Sequence, residues 1–98
     1  MPAYDLSAQA ENDLDQIAAY TKETWGAEQT DLYLTKLETG FELLANNPLI
    51  GRKCDFLTRG LHRFELGKHV IYYFPSADGV LIVRVLHQQM LPERSRFE

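Results

Sequence analysis

The first half of the chain carries apolar side chains at helical spacing. Apolar or small residues recur every three or four positions and predict the buried face of a first helix: Ala10, Leu14, Ile17, Ala18, Thr21 and Trp25. Charged residues, Asp13 among them, fill its predicted outer face. Ser7 is placed to cap the start of this helix, and Gly26 ends it.

A second helix is predicted from about Ala27. Its apolar stripe consists of Tyr33, Leu34, Leu37, Phe41, Leu44 and Ala45. Asn47 precedes Pro48, and the residue before a proline is pushed out of helical conformation, so the helix stops there. Because the turn at Gly26 is so short, the two helices must form an antiparallel hairpin over residues 8–47.

The second half of the chain has the composition of strands. Residues 61–66, 69–74 and 80–87 are rich in β-branched and aromatic side chains, and turn-forming residues separate them at 67–68 and 75–79. We therefore predict a three-stranded antiparallel meander over 61–87, preceded by an irregular connector over 48–60. A short strand is predicted at residues 4–7.

These elements predict an α+β fold in a single domain spanning residues 1–98. The order is an N-terminal strand, the helical hairpin, the meander and a tail over 88–98, with the helices packed on one face of the sheet. The last strand is apolar on both sides of its alternation, with Leu81, Val83 and Val85 on one face and Val80, Ile82 and Leu86 on the other. One helical layer covers one face, so the second face either curls over itself or receives another protein, and we favour the second interpretation.

Charge is divided unevenly along the 98 residues. The net charge of -4 and the pI near 5.3 argue against a protein devoted to a nucleic-acid backbone. Residues 1–50 have two lysines against nine acids, whereas residues 51–98 have eight basic residues against five acids and all three histidines. The sequence thus joins an acidic helical half to a basic half predicted to form the sheet.

Other sequence features bear on the protein's location. Cys54 is the single cysteine, which excludes an intrachain disulfide and fits a reducing compartment. The start of the chain lacks the basic and apolar regions of a signal peptide, and no segment approaches the ~20 apolar residues of a membrane span. We expect a cytoplasmic protein with no membrane partner.

The three histidines do not predict a metal site. If Gly67 and Lys68 form a two-residue hairpin loop, Leu66 pairs with His69, and His62 lies roughly 13 Å away along the strand. Phosphate-binding loops, dinucleotide fingerprints and serine-hydrolase motifs are absent as well. We therefore predict neither a metal nor a cofactor.

Acid-base cleavage of RNA is the enzymatic alternative that the residues support. It needs a general base, a general acid and cations for the developing charge. Arg63, Lys68, Arg84 and His87 supply cations and one titrating group. After His87 no tyrosine, histidine or acid follows until Glu93, so a second proton-transfer group is missing from this segment.

Ordered short motifs from Tyr4 to Met90 suggest a family. They are Tyr4-x-Leu6-Ser7, Asp13-Leu14-x-x-Ile17, Tyr20-Thr21, Trp25-Gly26, Phe41-x-x-Leu44-Ala45, Pro48-x-x-Gly51-Arg52, His69-Val70-Ile71-x-Tyr73 and Arg84-Val85-Leu86-His87-x-x-Met90. Together they resemble the ParE toxins of type II toxin-antitoxin systems, within the RelE/ParE superfamily.

The resemblance implies a toxin that stabilises the cleaved-DNA complex of DNA gyrase and is neutralised by a ParD-type antitoxin in a hetero-oligomer. RelE relatives instead cut messenger RNA in the ribosomal A site and commonly carry an acid-base group, often tyrosine, just after or beyond the last strand, whereas Gln88 follows His87 in this chain. We therefore expect a gyrase inhibitor rather than an enzyme, without sequence-specific nucleic-acid binding. A ribosome-dependent endoribonuclease and an inactive toxin-like domain are the alternatives.

The basic half supplies the candidate site. We expect target and antitoxin to contact Arg59, Arg63, Arg84, Leu86, His87, Arg94 and Arg96. No catalytic residue is assigned for a gyrase inhibitor. For a ribonuclease, Arg63, Arg84 and His87 would be the catalytic candidates.

Overall fold

The computed structural model describes residues 3–90, 92–94 and 97. Its elements are β1 (Ala3–Leu6), α1 (Ala8–Trp25), α2 (Ala27–Asn46), β2 (Arg52–Lys53), β3 (His62–Leu66), β4 (His69–Ser76), β5 (Gly79–His87) and a single 3-10 turn at Pro92–Arg94. The predicted α+β order of strand, helical hairpin and meander is confirmed.

The described strands form a five-stranded sheet in the order β1-β5-β4-β3-β2. β1 runs parallel to β5, and the other neighbours are antiparallel. The predicted pairing of Leu66 with His69 across the β3–β4 turn is confirmed. β4 continues through Pro75 to Ser76, so the turn predicted at 75–79 is shorter than expected.

Local capping sets the two ends of α1. The N–H of Ala10 donates to Oγ of Ser7 at 3.0 Å, and the Ser7 hydroxyl donates to the carbonyl of Val83 at 2.9 Å. Ser7 therefore caps the helix and also ties it to β5. Gly26, between α1 and α2, has φ of 90°, a backbone conformation that side chains with a Cβ disfavour.

The main core lies between the helices and the sheet. The predicted stripe of α2 is confirmed, with Leu37, Phe41, Leu44 and Ala45 buried. The predicted face of α1 is wrong at two positions: Trp25 is 63% exposed, and Asp13, expected on the outer face, is 7% exposed. The helical period is right, but the face of α1 that packs on the sheet includes Asp13 and excludes Trp25. Asp13 is buried because it forms an ion pair with Arg84 of β5.

A β-bulge corrects the predicted faces of β5. Tyr72 of β4 pairs with Arg84, but Tyr73 pairs with Ile82, which leaves Val83 as an extra residue. Beyond the bulge the alternation is shifted, so Val85 joins the core under the helices and Leu86 joins the opposite face. The sequence pattern had placed each of them on the other side.

The chain itself covers much of the second sheet face. Val70, Tyr72, Val83 and Leu86 form a second buried cluster with Cys54 and Leu61 from the connector. Leu57 and Phe97 pack against this cluster, and the rings of Phe97 and Tyr72 lie 4.8 Å apart. The chain therefore curls over this face, which is the alternative that the sequence pattern did not favour.

The connector predicted as irregular contains strand β2, which pairs with β3 and makes residues 52–66 a long-looped β-hairpin. The buried Tyr73 anchors the approach to this hairpin: its hydroxyl donates to the carbonyl of Pro48 at 2.8 Å and accepts the N–H of Gly51 at 3.0 Å. A Cβ at position 51 would lie 2.7 Å from the carbonyl oxygen of Arg63, so only glycine allows this approach.

Asp13 takes the place of a neighbouring strand where β1 ends. β1 pairs with β5 only as far as Ile82, although β5 continues to His87. The Asp13 carboxylate accepts the backbone N–H of Val85 at 3.0 Å and both Nε and Nη2 of Arg84, at 2.7 and 2.9 Å. One carboxylate thus satisfies a sheet edge and neutralises a largely buried guanidinium.

We predict that Asp13→Ala destabilises the fold by about 3–5 kcal/mol, because it removes the carboxylate that neutralises Arg84 and accepts the Val85 N–H. Urea denaturation measures the free energy of unfolding. Asp15→Ala, an exposed position on the same helix, is the control and should stay within about 0.5 kcal/mol of the wild type. Equal losses for the two variants would contradict the role given to Asp13.

Candidate functional site

A groove of about 900 Å³ opens between the helical hairpin and the end of the sheet. Its walls come from α1, α2, the β3–β4 turn and the last residues of β5 with the segment that follows it. Tyr20, Trp25 and Met90 line it and are 67%, 63% and 49% exposed. Such exposed aromatic and methionine side chains are typical of binding surfaces.

A hydrogen-bonded chain links α2 to the sheet inside the groove. The backbone N–H of Lys68 donates to the Tyr33 hydroxyl at 3.2 Å, and that hydroxyl lies 2.5 Å from Nδ1 of His69. We assign the hydroxyl proton to the bond with His69, so that Nδ1 of the imidazole is the acceptor. His69 is then neutral and carries its own proton on Nε2.

His87 faces His69 across the β4–β5 ladder. The two residues are register partners, and their rings meet edge to face with centroids 5.5 Å apart. Nδ1 of His87 accepts the backbone N–H of Gln89 at 3.2 Å. Burial and, to a smaller extent, the neighbouring His87 together lower the pKa of His69 to about 4, while Asp13 opposes the shift.

The ion pair of Asp13 and Arg84 forms the wall beside the histidines. The side chains of Arg84 and Asp13 are 16% and 8% exposed, and Nη1 of Arg84 also donates to Gln9 at 3.3 Å. The hydrogen bond to Asp13 raises the pKa of Arg84. Arg84 is therefore engaged within the protein.

The three residues named for a ribonuclease point in different directions. Arg63 on β3 pairs with Tyr72 on β4, and Tyr72 in turn pairs with Arg84 on β5, so two strand spacings of about 4.8 Å separate the arginines. The guanidinium of Arg63 lies over the Tyr72 ring, whereas Arg84 points to Asp13 on α1. Only Arg84 and His87 line the groove.

The other predicted contact residues are dispersed. Arg59 is exposed in the loop between β2 and β3. Leu86 is 1% exposed, so a partner would reach its side chain only after a rearrangement. Arg94 lies in the 3-10 turn, and Arg96 lies outside the described residues.

Sequence reasoning missed two residues that lie with His87 in the groove, His69 and Tyr33. The search for a second titrating group followed the chain beyond His87, whereas the fold brings His69 and Tyr33 beside it from β4 and α2. The register of the β4–β5 hairpin was the available signal for His69. Nothing in the local pattern distinguished Tyr33 from an ordinary core residue, since it falls on the apolar stripe of α2.

The described part of the chain gives no support for a metal site, a reactive thiol or a membrane-spanning helix. Among residues 3–90, 92–94 and 97, no cluster of three or more histidine, cysteine or acidic side chains could hold a metal ion. Burial raises the pKa of the Cys54 thiol, which disfavours its reactive thiolate form. Neither described helix has the length and apolarity needed to cross a membrane.

Comparison with solved structures identifies where this fold occurs. A solved structure of the chromosomal ParDE toxin-antitoxin system from P. aeruginosa matches with a TM-score of 0.74 at 18% identity, covering 89% of this chain and 96% of that one. The fold is therefore one found in toxin-antitoxin systems.

Sequence comparison gives the family. The family model for the ParE toxin of the type II toxin-antitoxin system parDE matches residues 4–92. Toxin ParE1 of Mycobacterium tuberculosis is 37% identical over 93 residues, covering 94% of this chain and 95% of the relative. Toxin ParE1 of Caulobacter vibrioides is 39% identical over 90 residues, covering 92% and 93%. The chain belongs to the ParE toxin family.

We predict that His69 makes the fold sensitive to mild acid. The pKa of His69 is about 4 in the folded protein and about 6.5 in the unfolded chain. Between these pH values, His69 is protonated in the unfolded chain but not in the folded protein, and this difference favours unfolding. The penalty is absent above about pH 6.5 and grows as the pH falls towards 4. The free energy of unfolding, measured by urea denaturation, should therefore be lower at about pH 4.5 than at about pH 7.5.

His69→Asn isolates this effect, because the Asn side chain does not titrate and offers an oxygen to the Tyr33 hydroxyl. The variant should lose less stability than the wild type between the two pH values. If both proteins lose the same amount, His69 is not the group responsible.

Proposed function

We propose that this ParE family member is a binding protein that inhibits DNA gyrase by holding its cleaved-DNA complex, and that a ParD-type antitoxin neutralises it by occupying the groove. One observation carries the proposal. The histidines and Arg84 of the groove make hydrogen bonds within the protein, whereas the side chains on its rim, Tyr20, Trp25 and Met90, are exposed. The family membership supplies the toxin role. The groove supports binding over catalysis.

The two histidines of the groove offer hydrogen-bond donors rather than a base. In the tautomer assigned above, Nδ1 of His69 accepts from Tyr33, and Nδ1 of His87 accepts the backbone N–H of Gln89. In the neutral imidazoles, Nε2 then carries the proton. A general base needs a free lone pair directed at the substrate, and these tautomers use theirs internally.

Arg84, the guanidinium in the groove lining, is also hydrogen-bonded within the protein. Cleavage of a phosphodiester requires positive charge directed at the developing oxyanion. Arg84 instead gives two N–H donors to Asp13, a pairing that neutralises its charge. A poison that holds its target in one conformation requires only differential affinity for that conformation.

The exposed rim of the groove suits a partner with apolar side chains. Tyr20, Trp25 and Met90 offer large side chains that a partner can bury, and aromatic anchors of this kind carry much of the affinity in protein interfaces. Among the described residues, the groove is also lined by Lys36 and Lys68, and its one acid, Asp13, is already paired with Arg84. An antitoxin segment with apolar and acidic side chains would complement this lining, and its carbonyl and carboxylate oxygens would match the imidazole donors.

Conservative substitution of His87 separates binding from catalysis. His87→Gln keeps an N–H donor near the position of Nε2 but cannot transfer a proton, so growth arrest on induction should persist, whereas His87→Ala should weaken it. The arrested cells should show gyrase-linked DNA breaks and intact transcripts. If the protein were a ribosome-dependent endoribonuclease, transcripts would be cleaved on ribosomes and His87→Gln would lower activity by about 10²–10⁴-fold. An inactive toxin-like domain would cause no arrest.

Antitoxin affinity tests the groove directly. The single tryptophan, Trp25, is exposed at the rim, so its fluorescence should shift to shorter wavelength when the antitoxin covers it. Tyr20→Ala and Met90→Ala should each weaken binding at least about tenfold. Leu32→Ala, also exposed on a helix but outside the groove lining, is the control and should bind like the wild type. Equal affinities for all three variants would remove the groove from the antitoxin interface.

A further inference from the structure

The hairpin formed by β2, its loop and β3 concentrates exposed positive charge at one edge of the sheet. Residues 52–66 hold four cations, Arg52, Lys53, Arg59 and Arg63, against two acids. Arg52 and Lys53 stand on the edge strand, where both are exposed, and Arg59 is exposed in the loop. We call residues 52–66 the basic hairpin.

The two acids of the basic hairpin are used in holding its shape. Asp55 accepts the backbone N–H of Gly60 at 2.9 Å and thereby fixes the loop. Glu65 binds through one oxygen to both Arg52 and Arg63. One carboxylate shared by two guanidiniums leaves an excess of positive charge, and Arg52 remains 73% exposed.

Backbone and core contacts hold the loop of the basic hairpin in one conformation. The N–H of Cys54 donates to the carbonyl of Leu61 at 2.7 Å, which continues the β2–β3 pairing into the loop. The buried side chains of Cys54 and Leu61 root the loop in the second core cluster. Phe56, beside them in sequence, is directed outward and is 74% exposed.

The rest of the molecule directs this projection towards an anionic partner. The acidic helices pack on β1 and β5, while β2 lies at the opposite edge of the sheet, about 14 Å from β5 at three strand spacings. The acidic outer faces of the helices therefore repel a polyanion, whereas the exposed cations of the basic hairpin attract it. This separation lets a chain with a net charge of -4 contact a polyanion through the basic hairpin.

From these features we propose that the basic hairpin binds the phosphate backbone of duplex DNA without reading its sequence. A two-stranded ribbon fits a groove of the duplex, where Arg52, Lys53 and Arg59 can reach phosphates. An exposed aromatic side chain among the cations suits the sugars and bases of a nucleic acid better than it suits the carboxylates of an acidic protein. This contact is additional to the proposed occupant of the groove and does not depend on it.

The salt dependence of binding measures the number of phosphates contacted. Each neutralised phosphate adds about -0.9 to the slope of log K against log salt, so three cations predict a slope between about -2 and -3. The assay is fluorescence anisotropy of a short labelled duplex with purified toxin, in the absence of gyrase. A failure of gyrase inhibition therefore leaves this test intact.

Charge-neutral variants locate the contact. Lys53→Gln should bring the slope about one closer to zero, and the triple variant Arg52→Gln, Lys53→Gln and Arg59→Gln should abolish measurable binding, while circular dichroism confirms that it is folded. Lys22→Gln, an exposed lysine on α1, is the matched single-charge control and should leave the slope unchanged.

Two results would overturn the proposal. One is a slope that Lys53→Gln and Lys22→Gln change equally, because the binding would then reflect overall charge. The other is equally tight binding of a polyglutamate chain of the same charge as the duplex, which would assign the basic hairpin to an acidic protein surface instead.

Discussion

The carboxylate of Asp13 is the contact on which the two halves of the molecule depend. It comes from the first helix, and it satisfies both the guanidinium of Arg84 and an open backbone N–H of the last strand. Without an acceptor there, the end of β5 would expose an unpaired edge next to a buried cation. The same contact holds the helical wall of the groove at a fixed distance from the sheet wall. Stability and groove shape are consequently set by one interaction between residues that lie far apart in the chain.

The bulge at Val83 has an equally wide influence because it decides which side chains reach the groove. A strand of strict alternation would direct Val85 away from the helices and Leu86 towards them. The extra residue reverses this order for both side chains. His87 then arrives opposite His69 at the inner end of the groove. Bulges often mark places where a side chain must be redirected for function, and this one redirects several consecutive residues.

Much of the architecture followed from sequence periodicity, and the errors have a common physical cause. The helical hairpin and the meander were predictable because α2 has a clear apolar stripe and the strands are separated by turn residues. Asp13 was misplaced because a charged residue is normally exposed unless a distant partner neutralises it. The bulge leaves no local signal in a run of apolar residues. His69 and Tyr33 joined the site only through tertiary contacts, which periodicity does not encode.

The parallel pairing of β1 with β5 bears on when the groove forms during synthesis. The first strand must wait for a neighbour that begins at Gly79, so the sheet cannot close before β5 has left the ribosome. Such long-range pairing slows folding relative to local contacts. Both walls of the groove share this delay, since one comes from the helices and the other from β4 and β5. The groove is therefore complete only once β5 is available to pair with β1.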